Sequence, residues 1–283
     1  MSTITLVLTD TQINKLKTTF SESIVSKTPP YALYQLKVEG CVITAYESKK
    51  VVFQGSDAEV YASPFQIKNT FKTQAGSDEV GTGDYFGPIC VCACIVTNKN
   101  KDALAKYAIQ DSKALKDDYI QQIAPQIMKT VEYSLLILDN AKYNQVQATN
   151  NMNQIKAKLH NQAYVNLAKK TTLPNFIIID QFTPEKLYYN YIKNEPNIIR
   201  NIHFETKAEN KYLAVACASV IARHAFLECL KNYETHYDMT FQKGASDKVD
   251  QNAAEFVKRY GIEELKNVAK LHFKNTEKLK EYL

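Results

Sequence analysis

Apolar residues recur at two different spacings along the chain, and the change between the spacings divides it. Near the start, four apolar residues follow one another at helical intervals: Ile13, Leu16, Phe20 and Ile24. This spacing predicts an amphipathic helix over residues 9–24, with Asp10 as its amino-terminal cap. Alternating apolar and polar residues then predict three strands, over residues 34–38, 41–46 and 51–53. The amino-terminal region therefore has the pattern of a small α+β unit.

From about residue 76 onwards, strands and helices alternate, which is typical of an α/β domain. The apolar runs predict strands at residues 89–96, 132–138 and 176–179, and helices at residues 117–129, 152–167, 212–233 and 250–260. The run at 176–179 is continuously apolar, as expected of a strand in the middle of a sheet, yet it ends directly on Asp180. Residues 61–72 contain Pro64 and show little periodicity. We therefore predict an amino-terminal domain at residues 1–65, a linker at 66–75 and a second domain at 76–283.

The composition is that of an ordinary globular protein, with 45% hydrophobic and 23% charged residues. The first residues, MSTITLVLTDTQ, lack the basic start of a signal peptide, and no stretch approaches the ~18 apolar residues needed to span a bilayer. We therefore expect a cytoplasmic protein with no membrane segment. A formal charge of +5 permits a polyanionic partner without requiring one.

The six cysteines and five histidines do not form a metal-binding pattern. Cys90, Cys92 and Cys94 alternate along a predicted strand, so that their side chains point to one face as small apolar groups, and no CxxC pair is present. We expect buried reduced thiols rather than a zinc site. The histidines show no paired spacing and are each expected to be structural: His160, His203, His224, His236 and His272.

The segment GSDEVGTGDYFGPI, residues 76–89, carries the strongest chemical signal. Its adjacent carboxylates, Asp78 and Glu79, precede a glycine-rich turn and an apolar strand. If they lie beside Asp180 at the sheet, their like charges must be neutralised by protonation or by cations, and carboxylate oxygens suit magnesium or manganese. The alternative is that Asp78-Glu79 forms only a polar turn, which is the commoner role of an arbitrary Asp-Glu pair.

The glycines of this segment do not match a dinucleotide-binding loop. Gly81, Gly83 and Gly87 have the spacing G-x-G-x-x-x-G, one residue too long for that fingerprint. The loop also runs into Pro88 and a strand instead of opening a helix whose amino terminus could hold pyrophosphate. Glycines here would instead allow backbone amides to approach a sugar hydroxyl or a phosphate closely.

At these motifs the chain resembles the bacterial ribonuclease HIII enzymes, and the likeness covers nearly its whole length. The segment GSDEVGTGDYFGPI resembles that family's active-site strand with its glycine-threonine-glycine loop, and Asp111-Ser112-Lys113 resembles its DSK element. Three later segments also fit: FIIIDQF at 176–182, ETKAENKYLAVACASVIAR at 205–223 and KLHFKNT at 270–276. In the sister family, ribonuclease HII, the loop normally reads glycine-arginine-glycine, so Thr82 favours HIII.

The resemblance implies a ribonuclease H-like mixed sheet flanked by helices, with four acidic residues that hold Mg²⁺ or Mn²⁺. Asp78, Glu79 and Asp180 match this set. Glu209 is the expected fourth ligand, with nearby Glu205 as the alternative. The implied reaction is two-metal hydrolysis of the RNA strand of RNA–DNA hybrids, which leaves 5′-phosphate and 3′-hydroxyl ends.

The resemblance also implies where the second domain recognises its substrate. Backbone groups of Gly81, Thr82 and Gly83 are expected to contact ribose 2′-hydroxyls, the groups that distinguish RNA from DNA. Ser112 and Lys113 are expected near a phosphate, although a lone lysine is as often a solvated surface charge.

The amino-terminal region resembles the small TATA-binding-protein-like domain of the HIII family, which implies a role in holding the hybrid. Five lysines there either contact phosphates or are scattered solubilising charges: Lys15, Lys17, Lys37, Lys49 and Lys50. Two other functions compete with the HIII activity, namely cleavage at single embedded ribonucleotides, as by ribonuclease HII, and hybrid binding without catalysis. The three clear carboxylates argue against a binder without catalysis. We expect a monomer that acts on RNA–DNA hybrid and needs no protein partner.

Overall fold

The structure, a computed structural model, describes residues 2–66, 71–109 and 115–279. By its internal contacts the chain divides into two compact units, Met1–Thr70 and Phe71–Leu283. Ser112 and Lys113 lie outside the described residues, as does part of the predicted linker.

The first unit contains a four-stranded antiparallel sheet with a helix against one face. Its elements are β1 (Ser2–Val7), α1 (Asp10–Thr19), β2 (Ala32–Val38), β3 (Cys41–Tyr46), β4 (Lys50–Gly55) and α2 (Ala58–Ala62), with the strands in the order β1-β4-β3-β2. Ile13 and Leu16 of α1 share a buried core with Leu36, Ile43 and Phe53 of the strands. Because side chains alternate along a strand, the residues between these point to the opposite face of the sheet.

The first unit differs from the sequence prediction in four ways. Strand β1 and helix α2 were not predicted, and α1 ends at Thr19, before residue 24. The cap of α1 is Thr9 instead of Asp10: the Thr9 hydroxyl accepts a hydrogen bond from the Gln12 amide, and the Gln12 side chain accepts one from the Thr9 amide. These reciprocal bonds satisfy two amides at the helix start, whereas Asp10 is already the first helical residue.

The second unit contains a five-stranded mixed sheet. Its strands are β5 (Gln74–Val80), β6 (Ile89–Val96), β7 (Glu132–Leu138), β8 (Ile177–Asp180) and β9 (Ile202–Glu205), in the order β7-β6-β5-β8-β9. Strands β5, β6 and β7 pair antiparallel, whereas β8 runs parallel to β5 and β9 runs parallel to β8. Strand β5 begins at Gln74, inside the predicted linker. The sequence analysis missed its first residues because they show no periodicity typical of a strand.

Helices cover both faces of this sheet, so the expected mixed sheet flanked by helices is confirmed. The described helices are α3 (Lys101–Ala105), α4 (Asp117–Thr130), α5 (Asn140–Gln147), α6 (Met152–Lys170), α7 (Glu185–Tyr191), α8 (Leu213–Tyr237), α9 (Asp247–Tyr260) and α10 (Lys274–Lys278). The side chains of β6 alternate between two cores: Cys90, Cys92 and Cys94 pack with α8, whereas Val91 and Ala93 pack with α6. All six cysteines are free thiols; five of them are buried, as expected, and Cys229 is half-buried.

Helix α8 packs across the middle of the sheet. By length and hydropathy alone it could cross a membrane, contrary to the expectation from the sequence, but 72% of its most apolar stretch is buried inside the unit, and buried core helices pass the same test. A Cβ atom added to Gly76 of β5 would lie 2.4 Å from the backbone nitrogen of Val215. The strand that carries Asp78 and Glu79 is thus held directly against the backbone of α8.

Candidate active site

Asp78 and Asp180 meet at the carboxyl ends of two parallel strands. The register between β5 and β8 pairs Ser77 with Ile179, which places the next residues of the two strands, Asp78 and Asp180, side by side. Asp78 is only 4% exposed. One carboxylate oxygen of Asp180 accepts a hydrogen bond of 2.9 Å from the Ala208 amide, in the turn after β9. The fold therefore brings together two of the acids that lie about a hundred residues apart in sequence.

The electrostatics of Asp78 favour a cation in its neighbourhood. Burial raises the pKa of Asp78 well above its ordinary value, and the negative charges of Glu79 and Asp180 raise it further. Hydrogen bonds from Ser219 and from the backbone amide of the next residue oppose this rise without cancelling it. A buried carboxylate beside other carboxylates is costly to ionise, and a bound divalent cation would remove that cost.

Glu79 points to the other side of β5, towards α6. His160 Nε2 lies 2.9 Å from Glu79 Oε2, and His160 Nδ1 lies 2.7 Å from Ser77 Oγ. The ammonium of Lys156 forms an ion pair with the other oxygen of Glu79. Burial by itself raises the pKa of Glu79, but the hydrogen bonds and charges of His160 and Lys156 outweigh it and lower that pKa to about 2. Glu79 is therefore held ionised.

Phe182, two residues beyond Asp180, completes this cage around Glu79. The Lys156 ammonium lies 4.1 Å from the centre of the Phe182 ring, and the His160 ring stacks on the same ring at 5.3 Å. His160, which the sequence analysis expected to be structural, thus contacts one of the proposed metal ligands directly. The available signal was a lysine and a histidine four residues apart on the apolar face of a long helix, where both side chains must be buried.

The two candidates for the fourth acid lie in different surroundings. Glu209 is 2% exposed and directly follows Ala208, whose amide is bonded to Asp180. Glu205 pairs with Asp180 across β8 and β9, but its carboxylate is held by Lys211 at 2.5 Å and lies 3.4 Å from His203. The hydrogen bond from Lys211 lowers the pKa of Glu205. Burial beside Asp180 favours Glu209 as the fourth acid.

A cleft of about 300 Å³ opens beside these acids. It is lined by nine residues: Asp78, Glu79, Val80, Gly81, Thr82, Gly83, Asp84, Ser219 and Arg223. The whole predicted recognition loop thus lies at the same opening as the first two acids. Arg223, which the sequence analysis did not single out, brings a positive charge to the cleft and forms an ion pair with Asp117.

The loop requires glycine at its first position. Gly81 has a φ of +96°, and a Cβ there would lie 2.1 Å from the carbonyl oxygen of Pro88. At Gly83, by contrast, an added Cβ would meet nothing within 4 Å. Gly83 therefore faces open space, where a substrate can approach the backbone.

The donor set fits hard divalent cations, although it is not closed into a ready metal site. Within residues 2–66, 71–109 and 115–279, no three His, Cys, Asp or Glu side chains are gathered so as to hold a metal ion. The reason is visible at β5, because Asp78 points towards α8 while Glu79 is turned to Lys156. Carboxylate oxygens are nevertheless the ligands that Mg²⁺ and Mn²⁺ prefer.

Comparison with known proteins identifies the family of the chain. The family model described as Ribonuclease HII matches residues 75–276, and a domain of unknown function (DUF3378) matches residues 3–77. The chain is 40% identical to a ribonuclease HIII of Bacillus pumilus over 98% of both sequences, and 41% identical to one of Listeria monocytogenes over 97% of both. The crystal structure of Bst-RNase HIII in complex with Mn²⁺ superposes with a TM-score of 0.73 at 36% identity, covering 99% of this chain and 98% of that one. From its full-length relatives, its fold and its motifs, this chain belongs to the ribonuclease HIII family.

Proposed function

We propose that this protein is an endoribonuclease that hydrolyses the RNA strand of RNA–DNA hybrids with Mg²⁺ or Mn²⁺ held by Asp78, Glu79, Asp180 and Glu209. The observation that carries the proposal is the placement of buried Asp78 next to Asp180, beside a cleft lined by the Gly81-Thr82-Gly83 loop. Bst-RNase HIII, to which the chain is similar, was solved with Mn²⁺. We further propose that the enzyme acts as a monomer, because one chain supplies all four acids. We also propose that it acts in the cytoplasm.

Each proposed ligand has a distinct task in holding the cations. Asp78 and Asp180 present adjacent carboxylates at the ends of their strands, where the cost of ionising Asp78 makes cation binding favourable. Glu79 stays ionised through Lys156 and His160, so that its charge is present before any cation arrives. When bound, the divalent cations supply Lewis acidity at the reacting phosphate, and the products carry 5′-phosphate and 3′-hydroxyl ends.

The Gly81-Thr82-Gly83 loop and the neighbouring Arg223 side chain select the substrate in this proposal. Backbone groups around Thr82 and Gly83 face the opening and contact ribose 2′-hydroxyls, while Arg223 supplies positive charge for the phosphate backbone. In this proposal, RNA recognition and the first two acids share one cleft. Ser112 and Lys113 remain proposed phosphate contacts on the basis of the sequence.

Incubation of the purified protein with labelled substrates tests the proposed function. The substrates are an RNA–DNA hybrid, single-stranded RNA and a DNA duplex with one embedded ribonucleotide, each with Mg²⁺, Mn²⁺ or chelator. We expect cleavage of the hybrid only with a divalent cation, and poor cleavage at the single ribonucleotide. Efficient cleavage at the single ribonucleotide would reassign the chain to the ribonuclease HII activity, and binding without cleavage would leave it a hybrid-binding protein.

Glu209→Gln and Glu205→Gln form a matched pair that identifies the fourth acid. Both replace a carboxylate with an amide of the same size within five residues of each other. Glu209 is buried and directly follows Ala208, whose amide is bonded to Asp180, whereas Glu205 is held by Lys211. We therefore expect Glu209→Gln to lower kcat by about 10²-fold or more. Glu205→Gln should change kcat less than about threefold. The reverse order in a steady-state assay would move the fourth role to Glu205.

We also propose that the amino-terminal unit helps to hold the hybrid through the sheet face opposite α1. Lys37 and Lys50 point to that face, since their strand neighbours Leu36 and Val51 belong to the core under α1. Lys15 and Lys17 lie on α1 itself, on the other side of the sheet, and the fifth, Lys49, is paired with Asp10. The five predicted lysines are therefore divided between two surfaces, and two of them share the open sheet face.

Two double variants compare these surfaces at equal change of charge. Lys37→Gln with Lys50→Gln should weaken hybrid binding about tenfold at low salt, whereas Lys15→Gln with Lys17→Gln should change it much less, because only the first pair lies on the proposed binding face. Fluorescence anisotropy with chelator present, over a range of salt, measures both. Equal effects of the two pairs would mean that the lysines act only through net charge.

A further inference from the structure

Lys270, in the KLHFKNT segment before α10, has a fully buried side chain in the second unit. Its ammonium donates hydrogen bonds to the carbonyl oxygens of Asp84, at 2.8 Å, and of Gly87. Among the described residues it forms no ion pair with a carboxylate. The buried charge is therefore used to hold backbone carbonyls of the segment that directly follows Gly83.

The same loop is joined to the carboxyl-terminal part of the chain by several backbone bonds. The Lys270 amide donates to the Tyr85 carbonyl at 2.9 Å, and the Gly87 amide donates to the Val268 carbonyl at 2.9 Å. On the other side, the Gly244 amide donates to the Asp84 carboxylate at 2.6 Å. The buried Lys270 ammonium adds to these bonds, because it binds the carbonyls of Asp84 and Gly87 at the two ends of the turn.

A buried ammonium is a costly means of packing. Burial lowers the pKa of Lys270 to about 7, while the nearby charge of Asp84 acts in the opposite direction. An apolar side chain of the same length would fill the space without this cost. Such a side chain cannot donate hydrogen bonds to the carbonyl oxygens of Asp84 and Gly87.

Packing alone therefore does not account for this lysine, whereas loop geometry does. The residues just before the anchored turn are the ones that line the cleft, and Gly83 has open space around its Cα. Gly81 and Gly83 have no side chains that could fix the loop from the cleft side. The orientation of the loop therefore depends on how Lys270 and Val268 hold the following residues, Asp84 to Gly87.

We propose that Lys270 is a positioning residue for ribose recognition, which fixes the Gly81-Thr82-Gly83 backbone by holding the carbonyls of Asp84 and Gly87. Lys270 does not line the cleft, so it acts on the substrate only through the loop. The proposal rests on the proposed function, because it assumes that the loop reads ribose 2′-hydroxyls. It assigns a role to the KLHFKNT segment, which the metal site does not use.

The test compares binding of an RNA–DNA hybrid with binding of a DNA duplex of the same sequence, with chelator present so that neither is cut. Lys270→Met keeps the length of the side chain but removes its charge and its donors. We expect the preference for hybrid over DNA duplex to fall about tenfold, with the affinity for the DNA duplex nearly unchanged. Lys266→Met, at an exposed lysine four residues earlier, is the control and should leave the preference as it is.

Each outcome bears on one proposal only. If the wild-type protein shows no preference for the hybrid, the proposed function fails at the loop. If the wild type prefers the hybrid and folded Lys270→Met keeps that preference in full, the positioning role of Lys270 is wrong. Should Lys270→Met fail to fold, Lys270→Gln takes its place, because its amide is one atom too short to occupy the position of the lysine ammonium between the two carbonyls. A preference below that of the wild type in Lys270→Gln supports the role, and a preference equal to that of the wild type refutes it.

Discussion

Asp78→Asn is expected to abolish hydrolysis and, at the same time, to stabilise the metal-free protein. The variant loses a charged metal ligand with almost no change of volume, so activity should fall by about 10³-fold or more. Asn can still accept the hydrogen bond from the Glu79 amide, which Asp78 accepts at 2.8 Å. It also removes a buried charge that burial and the carboxylates of Glu79 and Asp180 make costly.

The stability gain has a definite dependence on pH. Because the pKa of Asp78 is raised in the folded protein, its contribution favours folding below its ordinary pKa and is lost as the pH rises through the folded value. At neutral pH the wild type therefore carries the cost of the ionised carboxylate, and Asp78→Asn does not. A gain on the order of 1 kcal/mol corresponds to a Tm increase of about 2–4 °C. This gain should shrink as the pH is lowered towards the ordinary range of a carboxyl group.

Thermal denaturation in chelator and in Mn²⁺ measures both effects. Wild type should gain stability when Mn²⁺ is added, and Asp78→Asn should gain much less, because a ligand is missing. Ser26→Ala, at an exposed position in the first unit, is a neutral control for the effect of substitution itself. An Asp78→Asn protein that is less stable than wild type in chelator would show that the carboxylate is well compensated in the metal-free state.

The parts of the second unit that the sequence predicted best are those whose pattern is set by local burial. Strand β6 is apolar throughout because both of its faces are covered, and its predicted bounds, 89–96, are those observed. Strand β8 is four residues long, yet its apolar run and terminal Asp180 identified it. In both cases burial by neighbouring elements leaves a signal within the segment itself.

The elements that were missed depend on partners far away in the chain. Strand β1 pairs along its whole length with β4, and its only inward side chains, Ile4 and Leu6, are partly buried, so its short alternating run is a weak signal. Strand β9 has only four residues, with His203 exposed between buried Ile202 and half-buried Phe204, and it pairs with β8. Long-range pairing supplies the stability of such strands, and no local pattern contains it.

The candidate site shows the same division. Motif resemblance identified Asp78, Glu79 and Asp180, and the register of β5 with β8 supplies a physical reason for two of them to meet. What the sequence could not give is the direction in which Glu79 points. Alternation along β5 sends it to α6, where its partners Lys156 and His160 come from a helix about eighty residues further along the chain.

His160→Ala is expected to reduce both activity and affinity for divalent cations, because His160 orients Glu79. The histidine is fully buried and bridges Ser77 Oγ and Glu79 Oε2, so its removal leaves two buried polar groups with fewer partners. Losing an outer partner of a metal ligand costs about 10–100-fold in affinity or turnover. The lost hydrogen bonds should also lower the free energy of unfolding by about 1–3 kcal/mol.

Two further variants separate orientation of Glu79 from general destabilisation. Ile155→Ala removes a buried apolar side chain from the same helix, α6, and should lower stability by about 2–4 kcal/mol without changing the Mn²⁺ concentration needed for half-maximal activity. His160→Gln can still donate to Glu79 and should recover part of the lost cation affinity. The decisive measurement is a Mn²⁺ titration of hybrid cleavage at a temperature where all variants are folded. Since these variants leave Lys156, which forms an ion pair with Glu79, unchanged, a change in half-maximal Mn²⁺ that is confined to the His160 variants would come from the lost contact of His160 with Glu79. An unchanged value would leave His160 as a core residue.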